Sequence, residues 1–464
     1  MIIAMVVHND VRHDARVIKE ANSLSAVGHQ VTVFGLTRDP DDEGFSFGPN
    51  NVRVVLTFRS EIGSDTTLLT DLPDRYLLNS TFMASNFATY MGRLALNKSE
   101  RIRRSFTYQA TILADTVIKT LTPDVVHIHD HVALSAAPVY KHILSVPIVW
   151  DAHEIYEDLA GNEADRGLAN ATVISQNSIY VDEFITINES IKDFYVDKYH
   201  CLECGTVLPN ASMRSDLPDY DGRLHDAAGL DRSQKILLFQ GGMSPHRGIA
   251  QLVAAANQLN DHWSVVFMGW GKLKEEMELV AASYPMTQTA NDRVCFIDGA
   301  PQAELALWTA GASLGIIPYE NTGLNHLYCT PNKLWEYPLA GVPILASNLE
   351  EMGRSILNHS IGILMPRDFT ADDISKSVNA LTDVKLKQLR QACAVYAETQ
   401  NWQALEHRLT TIYEKLETAI KSPEIKGALQ PYNESPSEWP VPCADSTISL
   451  KEMVVSSIKK IKKT

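Results

Sequence analysis

Positive charge, cysteine and long apolar runs are all scarce in this chain. Lys and Arg number 41 against 56 Asp and Glu over 464 residues, a net charge of −15. Non-specific nucleic-acid binding rests on phosphate neutralisation, so the balance excludes that class of partner. Any anionic ligand must be met by a few local cations or by backbone dipoles. Six cysteines in this length make no disulfide framework. Cys201 and Cys204 form one CxxC, but no second pair follows at metal-site spacing, and Cys295, Cys329, Cys393 and Cys443 stand alone. The opening MIIAMVVHND lacks a basic flank and its apolar run is too short for a signal peptide. No uninterrupted apolar stretch reaches the length of a membrane span. The expectation is a cytoplasmic protein of a reducing compartment.

Glycine is missing where a dinucleotide cofactor would need it. The first apolar run is followed by HNDVRHD, with no glycine, and the GWG at Gly269–Gly271 lacks the third glycine of the fingerprint. An NAD or FAD enzyme is therefore disfavoured. No Ser–His–Asp nucleophile elbow is expected. No acidic metal cluster is expected either, since Asp39, Asp41 and Asp42 fall in a loop far from the glycine turns. No metal ligands are expected.

What is present is an ordinary globular balance, 45% hydrophobic and 21% charged, in a chain about three times the usual domain length of about 150 residues. IIAMVV reads as a strand buried on both faces. ARVIKEANSLSAVG then places Val17, Ala21 and Leu24 at helical spacing, and HQVTVFG is a second strand. The pattern returns at PDVVHIHD, VPIVWDAHE and DEFITIN. Residues 209–235 lose periodicity and gather Pro, Gly and Asp, as a linker does. Strands resume at QKILLFQGG, WSVVFMGWG, DRVCFIDGA, ASLGIIPY and GVPILAS.

The expected fold class is α/β: two tandem Rossmann-like parallel-sheet domains facing a cleft, at 1–208 and 236–395. A helix over 396–421 and a Pro-rich segment with a basic tail over 422–464 come after them. Parallel sheets bind ligands at the carboxyl ends of their strands, so the cleft is the expected site.

The most informative stretch is TPNKLWEYPLAGVP. Thr330 is a good N-cap and Pro331 suits a first turn, so a helix is expected to start there. Its exposed amides, at Thr330 and Asn332, would suit a diphosphate. Lys333 in the first turn conflicts with the helix dipole unless an anion sits nearby. Glu336, among Leu334, Trp335 and Leu339, needs a partner, and ribose hydroxyls are suitable donors. His127 and His129 alternate along VVHIHDH and share one strand face, with Asp130 and His131 at the strand's end. Asp151, His153 and Glu154 end the next strand, as acceptor-side groups or as an ion-pair network.

These motifs resemble those of the retaining glycosyltransferases of family 4, which have the GT-B fold. Glu336, Gly341 and Pro343 match the second glutamate of the family motif and the Gly and Pro after it, whereas the first glutamate position holds Tyr328. FQGGMSPHRGIAQLVAA resembles the loop that offers an Arg and a Lys to the diphosphate; here those positions are Gly242 and Arg247. FMGWGKLKEEM and VCFIDGAPQAEL resemble the later glycine turn and the nucleobase-side loop. NDVRHDARVIKEANSLSAVG, DVVHIHDH, VWDAHEIYE and VLPNAS carry the likeness through the first domain.

The resemblance implies a metal-independent retaining enzyme with no bound cofactor and a UDP- or GDP-sugar as donor substrate. It implies a catalytic His129 and donor contacts from Gly242, Arg247, Thr330, Asn332, Lys333 and Glu336. Acceptor-side candidates are Asp10, Asp130, His153 and Glu154, toward a glycan, lipid-linked or small-molecule acceptor. A catalytically silent GT-B partner protein and a GT-B sugar-nucleotide epimerase are the alternatives, the first because of Tyr328 and Gly242. Residues 451–464 carry five lysines and one glutamate. With the apolar residues of 448–461 they fit a helix lying on the inner face of an anionic membrane, a helix docking to a protein partner, or a solvated tail.

Overall fold

The computed structural model describes residues 1–59, 98–283 and 293–421, apart from 160, 162, 201, 203, 204, 217 and 218. The Cys201–Cys204 pair, Cys443 and the tail 422–464 lie outside the described residues.

Two sheets form the frame. The first has eight strands in the order β3-β4-β2-β1-β5-β6-β7-β8. They run β1 (Ile2–Val6), β2 (Gln30–Thr37), β3 (Gly44–Phe47), β4 (Val52–Phe58), β5 (Val125–His129), β6 (Ile148–Ala152), β7 (Glu183–Thr186) and β8 (Thr206–Val207). All pairings are parallel except that of β3 with β4. The second sheet has six parallel strands in the order β11-β10-β9-β12-β13-β14. These are β9 (Lys235–Gly242), β10 (Trp263–Trp270), β11 (Val294–Ile297), β12 (Leu314–Ile317), β13 (Ile344–Ser347) and β14 (Gly362–Met365).

The continuous apolar runs are central strands because both faces are covered. Ala4 and Val6 of β1 join one core cluster, while Ile3 and Met5 join the cluster on the other face. β9 divides likewise, with Ile236 and Leu238 on one side and Leu237 and Phe239 on the other. The sequence pattern does not reveal β3, β4 and β14. β4 alternates buried and exposed residues near the sheet edge, and β3 and β14 are edge strands of only four residues, too short to stand out as strands.

Four helices position the site: α1 (Ala15–Ala26), α2 (Lys333–Leu339), α3 (Asp383–Thr399) and α4 (His407–Lys421). Asp14 caps α1, its carboxylate accepting from Val17 N. The inner face of α1 carries Val17, Ala21 and Leu24 but also Arg16 and Glu20, both buried. The stretch expected as linker contains a short helix, Arg223–Ala228, whose Leu224 joins the second domain's core. After α3 the chain returns to the first domain. Trp402 and, on α4, Leu409, Ile412, Tyr413 and Leu416 share a core cluster with Ile3, Val17 and Leu24.

α2 starts later than the sequence suggests. Asn332, not Thr330, is the residue before the helix, and its side chain makes no cap bond. Pro331 and Asn332 already form a turn, with Leu334 N donating to Pro331 O at 2.9 Å and Glu336 N to Asn332 O at 2.9 Å. The Thr330 hydroxyl instead meets Asn188 Nδ2 of the first domain at 3.4 Å.

Candidate active site

A cavity of about 590 Å³ opens between the two sheets at their carboxyl ends, within the usual size for small-ligand sites. Its first-domain wall is formed by Asp130, His153 and Glu154, and its second-domain wall by Arg247, Trp270, Tyr319, Lys333 and Glu336. Thr330 and Asn332 also line it. Of the candidate site residues expected from the sequence, His129, Gly242 and Asp10 do not, and neither do His127, His131 and Asp151.

His129 is fully buried, its ring stacked on His127 with centroids 4.4 Å apart. Period-two geometry does put the two on one face, but the strand end is roofed over. Asp130 turns the chain with φ 61°, and its carboxylate, together with His153 from the end of β6, forms the wall above. His129 Nδ1 lies 3.5 Å from the Asp151 carboxylate, and His127 Nδ1 lies 2.7 Å from the Tyr413 hydroxyl. Of the histidines at these two strand ends, the one that faces the cavity is therefore His153; His326 of the second domain also lines it.

His153 sits between two carboxylates, Nε2 at 3.0 Å from Asp151 Oδ2 and Nδ1 at 3.4 Å from Asp130 Oδ1. Burial alone would lower its pKa. Asp151 and Asp130 outweigh that and raise it to about 9, so the imidazole is charged. Burial would raise Asp130, but His153, His8 and the Tyr156 hydroxyl hold it below the ordinary carboxylate range. Burial works the same way on Asp151, and Arg16 foremost, then His153, hold it well below that range.

Beneath the wall, Arg16 grips Asp151 with two parallel bonds, Nε to Oδ2 at 2.7 Å and Nη2 to Oδ1 at 2.8 Å, and donates to Leu208 O at 2.9 Å. Glu20 lies 3.0 Å from Arg16 Nε. Burial, and then Asp151, raise its pKa well above the ordinary carboxylate range against the pull of Arg16. Glu20, His127, His129 and Asp151 bring possible metal-ligand atoms within 4.8 Å of one another. Both Asp151 oxygens, however, are already engaged by Arg16 and His153, and the positive charge that these carboxylates need is present in the guanidinium.

The second-domain wall is built differently. Arg247 lies over the Tyr319 ring, 4.0 Å from its centroid, and Lys333 Nζ is 3.4 Å from the Tyr319 hydroxyl. Among the described residues neither cation has a carboxylate within ion-pair distance. Gly241 has φ 106°, and a Cβ there would lie 3.1 Å from Lys333 Nζ; the turn after β9 thus leaves room for the ammonium. Gly242 borders open space, where a Cβ would meet nothing within 4 Å. Glu336 accepts from Gln240 Nε2 at 2.8 Å through Oε2. Trp270, 65% exposed at the end of β10, stands against Gly299, where a Cβ would meet the indole at 2.6 Å.

The segment carrying Tyr328 bridges the cleft. Asn188 Nδ2 donates to Tyr328 O at 2.7 Å, Ile155 N donates to Asn325 Oδ1 at 2.8 Å, and Leu324 N donates to Asp158. Leu324 and Tyr328 pack against the first domain's core. Where the family motif has its first glutamate, this chain has an apolar interdomain contact. Tyr319, Trp270, Gln240 and Asn325 also belong to the site, although nothing local in the sequence marks them. Two of these are aromatic residues at strand ends, which in a sequence look like core.

Known proteins share this fold. Residues 234–383 match the family model described as Glycosyl transferases group 1. No curated protein sequence gives a match. Sucrose-phosphate synthase from Thermosynechococcus elongatus superposes with a TM-score of 0.64 at 16% identity, covering 90% of this chain and 100% of that one. The Anabaena protein HepE, solved with UDP and glucose, gives 0.60 at 13%, covering 89% and 100%. Trehalose 6-phosphate synthase from Burkholderia multivorans gives 0.60 at 11%, covering 92% and 98%. The fold is the two-domain Rossmann-like GT-B arrangement, and its second domain matches a glycosyltransferase family model.

Proposed function

We propose that the protein is a retaining glycosyltransferase that takes a sugar from a UDP- or GDP-sugar. The observation that carries this reading is the polarity of the cavity. Two cations without carboxylate partners among the described residues, Arg247 and Lys333, stand together on the second-domain wall, and a charged His153 faces them from the other domain. Arg247 and Lys333 would take the diphosphate and stabilise its growing charge as the sugar leaves, the work a divalent ion does in other designs. Glu336, with one oxygen on Gln240, has its other oxygen for the ribose hydroxyls. Trp270, Gly299 and Ala300 would border the base.

At the sugar end His153, Asp130 and Glu154 meet the acceptor. In a front-face reaction the acceptor hydroxyl enters beside the departing phosphate, which accepts its proton. His153 would then orient groups and spread charge without acting as a general base. That moves to His153 the role the resemblance gave to His129. The family match over the second domain and the UDP and glucose in the HepE structure support the donor class. The acceptor is proposed to be a glycan, a lipid-linked sugar or a small molecule. The net +4 tail at 451–464 is proposed to hold the protein on an anionic inner membrane surface.

The test is donor consumption by the purified protein, given UDP- and GDP-sugars with and without a range of acceptors and with chelator present. Acceptor-dependent release of nucleoside diphosphate with anomeric retention supports the reading. Isomerised donor without acceptor would mean an epimerase, and no consumption of any donor would mean a silent partner protein.

A further inference from the structure

The first-domain wall contains more charge than its cavity face needs. Arg16 is 2% exposed and Asp151 and Glu20 are 0% exposed, so none of the three can touch a ligand in the cavity. A bidentate guanidinium–carboxylate pair has fixed geometry as well as strength. Burying one is weak evidence for stability, because desolvating the charges offsets most of their attraction. A buried fork of this kind is better explained by the group it orients.

That group is His153. Arg16 leaves Asp151 in one rotamer, with Oδ2 3.0 Å from His153 Nε2. The Leu208 carbonyl fixes the third guanidinium nitrogen at 2.9 Å. The arrangement therefore runs from α1, through the end of β6, to a side chain that lines the cavity.

We propose that Arg16 is a positioning residue: through Asp151 it holds the His153 imidazole at the cavity wall in the orientation the transfer reaction uses. This rests on the glycosyltransferase reading for its chemistry, but the positioning itself is a property of the chain. His153 is also faced by Asp130, by His129 with ring centroids 5.7 Å apart, and, through Asp130, by His8 and Tyr156. These contacts remain when Arg16 is changed, so the imidazole is expected to be displaced and not lost. Helix α1 has its own cap at Asp14 and its own apolar face, which keep the fold independent of the fork.

The test is a double-mutant cycle between Arg16→Gln and His153→Ala, with Arg16→Lys as the conservative variant that keeps a cation but not the fork. Arg16→Gln is expected to lower kcat roughly tenfold or more with nucleoside diphosphate affinity within about twofold of wild type, since a small misplacement costs rate before binding. Arg16→Lys should recover part of that loss. In the His153→Ala background, Arg16→Gln should have no further effect on kcat. Additive losses in the two backgrounds overturn the proposal, as does a fall in nucleotide affinity equal to the fall in kcat.

A second readout is independent of any activity. The imidazole resonances of His153 in a nitrogen-15 spectrum should move in Arg16→Gln and in Asp151→Asn. Those of His225, bonded to Tyr220 in the other domain, should not move. Unmoved His153 resonances in a folded Arg16→Gln protein overturn the positioning role. If wild type consumes no donor yet the resonances move, the glycosyltransferase reading fails and the positioning stands.

Discussion

The two walls of the cavity solve opposite problems. On the first-domain side every charge that matters is already answered by the protein: Arg16 by Asp151 and Glu20, and His153 by Asp151 and Asp130. On the second-domain side Arg247 and Lys333 rest on the ring and hydroxyl of Tyr319 and meet no carboxylate among the described residues. A self-satisfied wall is rigid and suits the shaping of a reaction. A wall with unanswered cations costs stability until an anion arrives, and so it binds. The comparison predicts that rate and affinity separate along the cleft, one wall for each.

The sharpest way to break that division is His153→Ala. Loss of one preorganised electrostatic group typically costs on the order of a hundredfold or more in rate. kcat should fall by about that much, while calorimetry with nucleoside diphosphate should give an affinity near wild type. If the variant no longer binds nucleotide, His153 belongs to the donor wall and the division is wrong. On the other wall, Lys333→Ala should do the reverse. Charge-assisted hydrogen bonds are worth about 1.5–3 kcal/mol, so nucleotide affinity should drop roughly ten- to a hundredfold, at about 1.4 kcal/mol per decade. Ligand-free Lys333→Ala should melt no lower than wild type, because the lysine has only a 3.4 Å contact to the Tyr319 hydroxyl to lose. A marked drop in Tm would show that the cation is answered within the fold after all.

How much of this contrast the sequence reveals divides along the same line. The wall proposed to bind the donor is largely legible, because Lys333 and Glu336 sit on one short helix and Arg247 sits in one loop, so that local spacing carries the information. The rate-setting wall is not. Whether His129 or His153 meets the cavity depends on how Asp130 turns and on what β6 lays over the end of β5, which no local pattern states. Arg16 and Glu20 escape notice because polar residues on a helix look solvated, yet here they share the inner face with Val17 and Ala21. The strand pattern is legible where both sheet faces are buried, as in β1 and β9, and fails at the half-exposed edge strand β3 and its neighbour β4. Tyr328 is legible only as a missing glutamate; its packing against the first domain is a tertiary fact.

Glu336→Gln sharpens the comparison within the binding wall. The substitution keeps the shape and can keep the Gln240 bond through its carbonyl oxygen, but it removes the charge and turns one acceptor into a donor. Affinity for nucleoside diphosphate should fall roughly tenfold. If instead Tm drops with affinity intact, the contact with Gln240 is the residue's whole role, and the donor site loses its ribose anchor.

The charge on His153 leaves a pH signature on the rate-setting wall. Its pKa is raised from 6.5 to about 9 by Asp151 and Asp130 acting against burial. A group raised on folding contributes stability that is full below about pH 6.5 and is lost as pH climbs through about 9. Wild-type Tm should therefore decline by a few degrees between about pH 7 and pH 9.5, and that of His153→Ala should decline less. Parallel curves for the two proteins would mean that the imidazole is not held charged.

The smallest effect is expected from a segment that belongs to neither wall. Truncation after residue 421 leaves α4 whole, and with it the apolar contacts of Leu409, Ile412, Tyr413 and Leu416 against the first domain and the Lys421–Glu417 pair. It also leaves the Tyr413 hydroxyl on His127, behind the rate-setting wall. Tm, kcat on a soluble acceptor and nucleotide affinity should all stay at wild-type values. The truncation removes, with the rest of 422–464, the five lysines and one glutamate of the last fourteen residues of an otherwise acidic chain. Each basic residue near an anionic lipid surface is worth about 1 kcal/mol, so co-sedimentation with anionic vesicles should fall for the truncated protein and should fall for wild type as salt is raised. Equal sedimentation of the two proteins would end the tether reading. A truncated protein with lower Tm or kcat would show that 422–464 supports one of the walls after all, and the contrast between them would have to include it.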